Sequence, residues 1–134
     1  MTLIQLKCGN TTAAIMQKGA QMVSFKGNNG REVIWQADPN VWASHAPVLF
    51  PVCGRTKNEQ VIIDGVTYPL GKHGFARNAD FNIAKVGDDF VDLILTANDE
   101  TLPLYPFDFI FHVVYTLRET ASAPILSWKT SLIA

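Results

Sequence analysis

Apolar and polar residues alternate with a period of two along most of the chain, the pattern of strands that bury one face. Residues 22–26 and 31–35 flank Gly27-Asn28-Asn29-Gly30, which predicts a hairpin with a glycine-rich turn. Residues 61–63 and 66–68 flank Asp64-Gly65, a dipeptide suited to the positive-φ positions of a tight hairpin. Residues 81–86 and 90–95 flank Gly87-Asp88-Asp89 and predict a third hairpin. A longer strand is expected from Phe107 to Leu117. It sets Phe107, Phe109, Phe111, Val113 and Tyr115 on one face and Asp108, Ile110, His112, Val114 and Thr116 on the other. No segment carries a convincing amphipathic helical period, and the seven prolines punctuate the chain roughly where strands should end. Repeated hairpins without helices predict an all-β fold, an antiparallel sandwich or barrel, with residues 1–134 in one domain.

One stretch departs from this pattern. Residues 38–55 mix aromatics, prolines and polar residues without periodicity, and a long structured loop in a compact domain is often functional. Composition narrows what it serves. The chain has 11 basic and 12 acidic residues and a net charge of −1, so it lacks the basic excess of a nucleic-acid binder. No apolar run is long enough to span a bilayer, and the N-terminal residues do not read as a secretion signal, so a cytoplasmic protein without a membrane partner is expected. An uncharged small ligand fits this balance. Cys8 and Cys53 are too few and too far apart for a disulfide framework and read as buried free thiols. The three histidines and two cysteines show no metal-ligand spacing.

Two short motifs carry the candidate chemistry: Pro47-Val48-Leu49-Phe50-Pro51-Val52-Cys53-Gly54-Arg55 and His73-Gly74-Phe75-Ala76-Arg77. The hairpin around Asp64-Gly65 joins them, which allows Arg55 and the His73 loop to meet at one end of the sheet. Together with the intervening Asp64-Gly65 and Tyr68-Pro69-Leu70, they resemble the bacterial aldose 1-epimerase-related branch of the galactose mutarotase-like superfamily. The wider resemblance takes in residues 20–25, Ile34-Trp35 and residues 105–109, and runs from the N-terminus to about Leu117.

The resemblance implies a large antiparallel β-sandwich, a supersandwich of which this chain holds an incomplete, N-terminal portion. It also implies a sugar groove that binds a monosaccharide, an aldohexose, and exchange of its α and β anomers by acid–base ring opening, with no cofactor and no metal. Under it Arg55 is the substrate-binding arginine, whose fixed fork of donors suits neighbouring sugar oxygens. His73 is the first active-site histidine, hydrogen-bonded near the ring oxygen. Phe75 packs beneath the site, and Arg77 supports it or pairs with Asp80. Trp42 is a candidate stacking surface for a pyranose, whereas Trp35 reads as core and His45 as a loop residue. His112 lies roughly 13 Å along an extended strand from Asp108 and reads as a half-buried strand histidine.

The family's second histidine and its catalytic glutamate have no counterpart before Ala134, and residues 123–134 match the family poorly. Truncation, a frameshifted gene and a naturally short chain all fit that ending. The alternative to an isomerase is therefore a non-catalytic carbohydrate-binding fragment. Unpaired sheet edges predict self-association, with Phe107, Phe109 and Phe111 as the expected exposed patch.

Overall fold

The computed structural model describes residues 2–134. Strands β1 (Leu3–Cys8), β2 (Thr11–Met16) and β3 (Gln21–Lys26) form a three-stranded sheet in that order. Strands β4 (Gln60–Ile63) and β5 (Val66–Pro69) form a separate hairpin. Strands β6 (Asn82–Val86), β7 (Phe90–Thr96), β8 (Ile110–Glu119) and β9 (Pro124–Ile133) form a four-stranded sheet in chain order. Every pairing of these strands is antiparallel. Short 3-10 turns at Lys57–Glu59 and Ala76–Asn78 are the helical elements among the described residues. The all-β, antiparallel expectation holds.

Alternation decides the packing. On β7, Val91, Leu93 and Leu95 are buried; on β8, Phe111, Val113, Tyr115 and Leu117 are. They meet Ile4 and Leu6 of β1 and Ala13 and Ile15 of β2 in one core, so the two larger sheets face each other as a sandwich. Burying each large apolar side chain contributes about 1.5–3 kcal/mol. Hydrogen bonds also stitch the layers: among them Lys7 N–H donates to the Asp88 carbonyl at 2.7 Å, and the buried Tyr115 hydroxyl donates to the Ala20 carbonyl at 2.8 Å.

Two expected hairpins form as read. Asp64 and Gly65 take φ values of 50° and 79°, the two left-handed residues a tight β4–β5 turn needs. Residues 87–89 link β6 to β7. The first hairpin is only half made. Gly30 N–H bonds to the Gly27 carbonyl, but beyond a bridge from Lys26 to Glu32 no second strand follows. The Glu32 carboxylate takes the donors instead, accepting from the backbone N–H groups of Phe25, Val33 and Ile34 and from the Ser24 hydroxyl.

Other expectations need correction. Phe109 and Phe111 are 4% and 6% exposed, so they are core and not a surface patch, and Phe107 alone remains exposed, against Tyr105. Exposed apolar side chains lie instead on β9, at Trp128 and Leu132, and also at Val33, Val41 and Ile62. Cys53 is exposed, in the irregular segment outside the sheets, while Cys8 at the end of β1 is half-buried. Trp35 is also exposed, its indole N–H donating to the Trp42 carbonyl at 2.8 Å. His112 is half-buried as read, but it has a partner across the strands: its Nδ1 lies 2.9 Å from Asp92 Oδ1.

Candidate functional site

The two motifs clasp each other directly. Phe50 and Gly74 form a parallel bridge, and the Phe50 carbonyl accepts from both Phe75 N–H at 3.0 Å and Ala76 N–H at 3.2 Å. His73 N–H donates to the Gly54 carbonyl at 2.8 Å, and Gly54 N–H donates back to His73 Nδ1 at 2.9 Å. This approach is so close that a Cβ on Gly74 would stand 2.2 Å from the Phe50 oxygen. Gly74 also has φ +68°, where glycine alone is unstrained. His73, immediately before it, shares the left-handed conformation at φ 68°. A non-glycine residue held there carries backbone strain that the surrounding hydrogen bonds must offset.

The Gly54 contact fixes the chemistry of the imidazole. A backbone N–H only donates, so Nδ1 must be bare and the neutral ring carries its proton on Nε2. Partial burial, with the cations of Lys72 and Arg77 nearby, holds the imidazole below the ordinary histidine range. The ring is thus poised neutral, with Nε2–H left as a donor for a ligand oxygen.

Arg55 directly follows Gly54, whose backbone is bonded to His73. Its guanidinium pairs with Glu59 at 3.0 Å, an exposed ion pair that orients it more than it stabilises the fold. Phe75 turns inward, edge-on to Phe50 with ring centroids 5.8 Å apart and stacked against Phe109 at 6.1 Å. It packs beneath the loop against the core aromatics. Phe50 is the hub of this aromatic cluster, touching Phe75, Tyr105, Phe109 and Phe111. Arg77 is exposed on the 3-10 turn, and no ion pair with Asp80 occurs among the described residues. Trp42 is exposed in the 38–46 loop, and its bonding is to Asp38 and Trp35, apart from Arg55 and His73. His45 is held through its backbone N–H by the Gln21 side chain.

Sequence alone did not single out Gly54 or Phe50 within the motif, or Glu59 beyond it. The Arg55–Glu59 spacing of four residues and the proline-flanked Phe50 were the available signals. A cavity of about 520 Å³ lies behind the His73 loop, bordered by Phe75, Asp80, Asp99 and Glu100, and includes neither Arg55 nor His73. No group of three or more His, Cys, Asp or Glu among the described residues is placed to hold a metal ion. No helix among them is long and apolar enough to cross a membrane.

Comparison with known proteins is consistent over nearly the whole chain. The aldose 1-epimerase family model matches residues 2–127, ten residues beyond the limit expected from the motifs. A galactose mutarotase related enzyme from Lactobacillus acidophilus superposes with a TM-score of 0.92 at 38% identity, covering 98% of this chain and 43% of that one. A galactose mutarotase-like protein from Lactobacillus casei gives 0.90 at 31% identity, covering 98% and 44%. The plasmid-encoded protein LacX of Lactococcus lactis subsp. lactis is 36% identical over 120 residues, 86% of this chain and 40% of its own length. The chain thus spans less than half the length of each of these three relatives.

Proposed function

Because this chain belongs to the aldose 1-epimerase family, we propose that the face built by Arg55 and His73 binds an aldohexose and forms the sugar-orienting half of an anomer-exchanging site. The observation that carries this reading is the reciprocal bonding of Gly54 and His73, which leaves Nε2–H free and holds the residue before Arg55 against the imidazole. A neutral donor and a planar cationic fork together match the ring oxygen and an adjacent hydroxyl of a pyranose. Phe75 keeps the loop in place from below, and Arg77 and Trp42 are further contacts for a sugar that extends along the surface.

Anomer exchange needs a base on the C1 hydroxyl and an acid at the ring oxygen. Each positioned group typically contributes about 10²–10⁴-fold. The arginine stays protonated and is no base. His73 has Nδ1 engaged and Nε2 protonated, so in its neutral form it orients and polarises the ring oxygen without accepting a proton. The same observation favours the second reading, a carbohydrate-binding fragment with little catalysis of its own.

Polarimetry on freshly dissolved α-glucose and α-galactose, paired with an NMR sugar titration, tests both. We expect weak binding that falls about tenfold in His73→Ala, the effect of losing one hydrogen bond of ~1.4 kcal/mol. We expect mutarotation close to the buffer rate. Binding unchanged by His73→Ala would overturn the site. Fast mutarotation that collapses in that variant would overturn the purely orienting role.

A further inference from the structure

We propose, on the sugar-binding reading of this face, that Glu59 is a positioning residue: its carboxylate fixes where the Arg55 guanidinium stands before the sugar arrives, and a strained turn presents it. Gln60 N–H bonds back to the Lys57 carbonyl and closes a four-residue turn. The two central residues, Asn58 and Glu59, have φ values of 55° and 53°. Two left-handed residues in succession make a type I′ turn, whose preferred sequences are Asn-Gly and Asp-Gly. The β4–β5 turn of this same chain follows that preference, with Asp64 and Gly65 at φ 50° and 79°. In the 57–60 turn the asparagine is in place, but glutamate stands where glycine is preferred. Asparagine eases a left-handed backbone through its short polar side chain, and glutamate does not. The turn by itself therefore gives no reason for Glu59.

The side chain supplies one. Glu59 Oε1 lies 3.0 Å from Arg55 Nη1, so the reversed backbone brings the carboxylate onto the arginine four residues earlier. The main chain around Arg55 is already tied down. Gly54 is bonded to His73, the Thr56 hydroxyl donates to the Leu70 carbonyl at 3.2 Å, and Leu70 N–H donates to the Glu59 carbonyl at 2.9 Å. What these bonds leave loose is the long arginine side chain. A surface ion pair adds little to fold stability, so it does not offset the strain in that way. Its effect is order: a side chain immobilised in advance need not be immobilised on binding. Backbone strain kept at a site with such a consequence is the pattern expected of a functional residue.

NMR titration with D-glucose and D-galactose, alongside urea unfolding, separates this role from a structural one. Glu59→Gly removes the carboxylate and relieves the strain. Its urea midpoint should hold or rise while affinity falls roughly two- to tenfold, the effect of leaving one long side chain to be ordered on binding. Glu59→Gln keeps the length and the strain without the charge, and should lose affinity to the same extent with little change of midpoint. Asn58→Gly alters the same turn, spares the carboxylate and should bind like the native chain. A readout free of sugar is the heteronuclear NOE of the Arg55 Nε–H group, which should report an ordered side chain in the native protein and a mobile one in both Glu59 variants. If Arg55→Ala leaves affinity unchanged, the sugar-binding reading of Arg55 fails and this inference with it. If Arg55→Ala weakens binding but the Glu59 variants bind like the native chain, the inference alone fails. An affinity loss seen only with a falling midpoint, or an Arg55 NOE unchanged in Glu59→Gly, would also overturn it.

Discussion

Gly74→Ala tests whether the clasp between the two motifs holds the site. The added Cβ would meet the Phe50 oxygen at 2.2 Å, and both the Phe50 carbonyl carbon and Pro51 Cδ at 2.6 Å. Two of these atoms are backbone and cannot swing aside. A left-handed φ of +68° adds strain that costs an L-residue roughly 1–2 kcal/mol. Relieving the clash moves the segments apart and weakens the bonds from Phe75 and Ala76 to the Phe50 carbonyl, at about 1 kcal/mol each. Together these come to roughly 3–4 kcal/mol. Two other glycines separate the contributions. Gly65 has φ +79° but open space around its Cβ position, so Gly65→Ala should lose only the strain of roughly 1–2 kcal/mol. Gly71 has neither constraint, and Gly71→Ala should be neutral or gain up to about 1 kcal/mol through the unfolded chain. Urea unfolding followed by tryptophan fluorescence reads all three as midpoint shifts at constant slope. If Gly74→Ala loses no more than Gly65→Ala, the close approach is not what fixes the loop, and the argument fails.

Glu32→Gln should destabilise the fold by roughly 1.5–3 kcal/mol, the worth of a charge-assisted hydrogen bond, measured by the same urea melts. Burial raises the Glu32 pKa, but the donors of Phe25, Ser24, Ile34 and Val33 outweigh it and hold the group below its ordinary 4.5. Its contribution is therefore full above that ordinary value and lost as pH falls through the lower folded value, and Glu32→Gln should flatten that acid limb. Tyr115→Phe leaves the Ala20 carbonyl without its hydroxyl donor and should cost about 1–2 kcal/mol. Burial pushes the Tyr115 pKa up to about 12, so the native chain loses stability as pH rises past the ordinary value of 10, a loss the phenylalanine variant should not share.

Local turn chemistry was the most legible part of the fold. Asp64-Gly65 and residues 87–89 carry their instructions in the turn residues themselves, and both hairpins form. Residues 31–35 have the same alternation but no ladder, since one carboxylate satisfies the donors a strand would have used. Alternation does not record which side chain reaches back. β2 lies outside the expected hairpins because Ala13, Ala14 and Ile15 are all buried, which erases its period of two. β9 is obscured for the opposite reason, as it carries apolar residues on both faces and most are exposed. At the site, motif order was enough to bring the segment before Arg55 against the His73 loop. The protonated nitrogen of His73 depends on a backbone N–H nineteen residues away, and no side-chain pattern encodes that. Trp42 looked equivalent to Phe75 as an aromatic neighbour, but only Phe75 is tied by the chain to the clasp.

The clasp also turns everything between its two halves into a loop on a stem. The stem is closed at Phe50–Gly74 and Gly54–His73, and from Arg55 to Pro69 no residue is fully buried. The β4–β5 hairpin belongs to this excursion, with Ile62 and Val66 74% and 52% exposed. Doubling the length of such a closed loop costs only ~0.6 kcal/mol in closure entropy. Its tip at Asp64-Gly65 is therefore a place for insertion, four ladder pairs away from the Arg55–Glu59 ion pair at the hairpin's base, so new residues can be added there while the stem keeps His73 in register. A fold organised this way can lengthen or reshape that excursion without redesigning the core beneath.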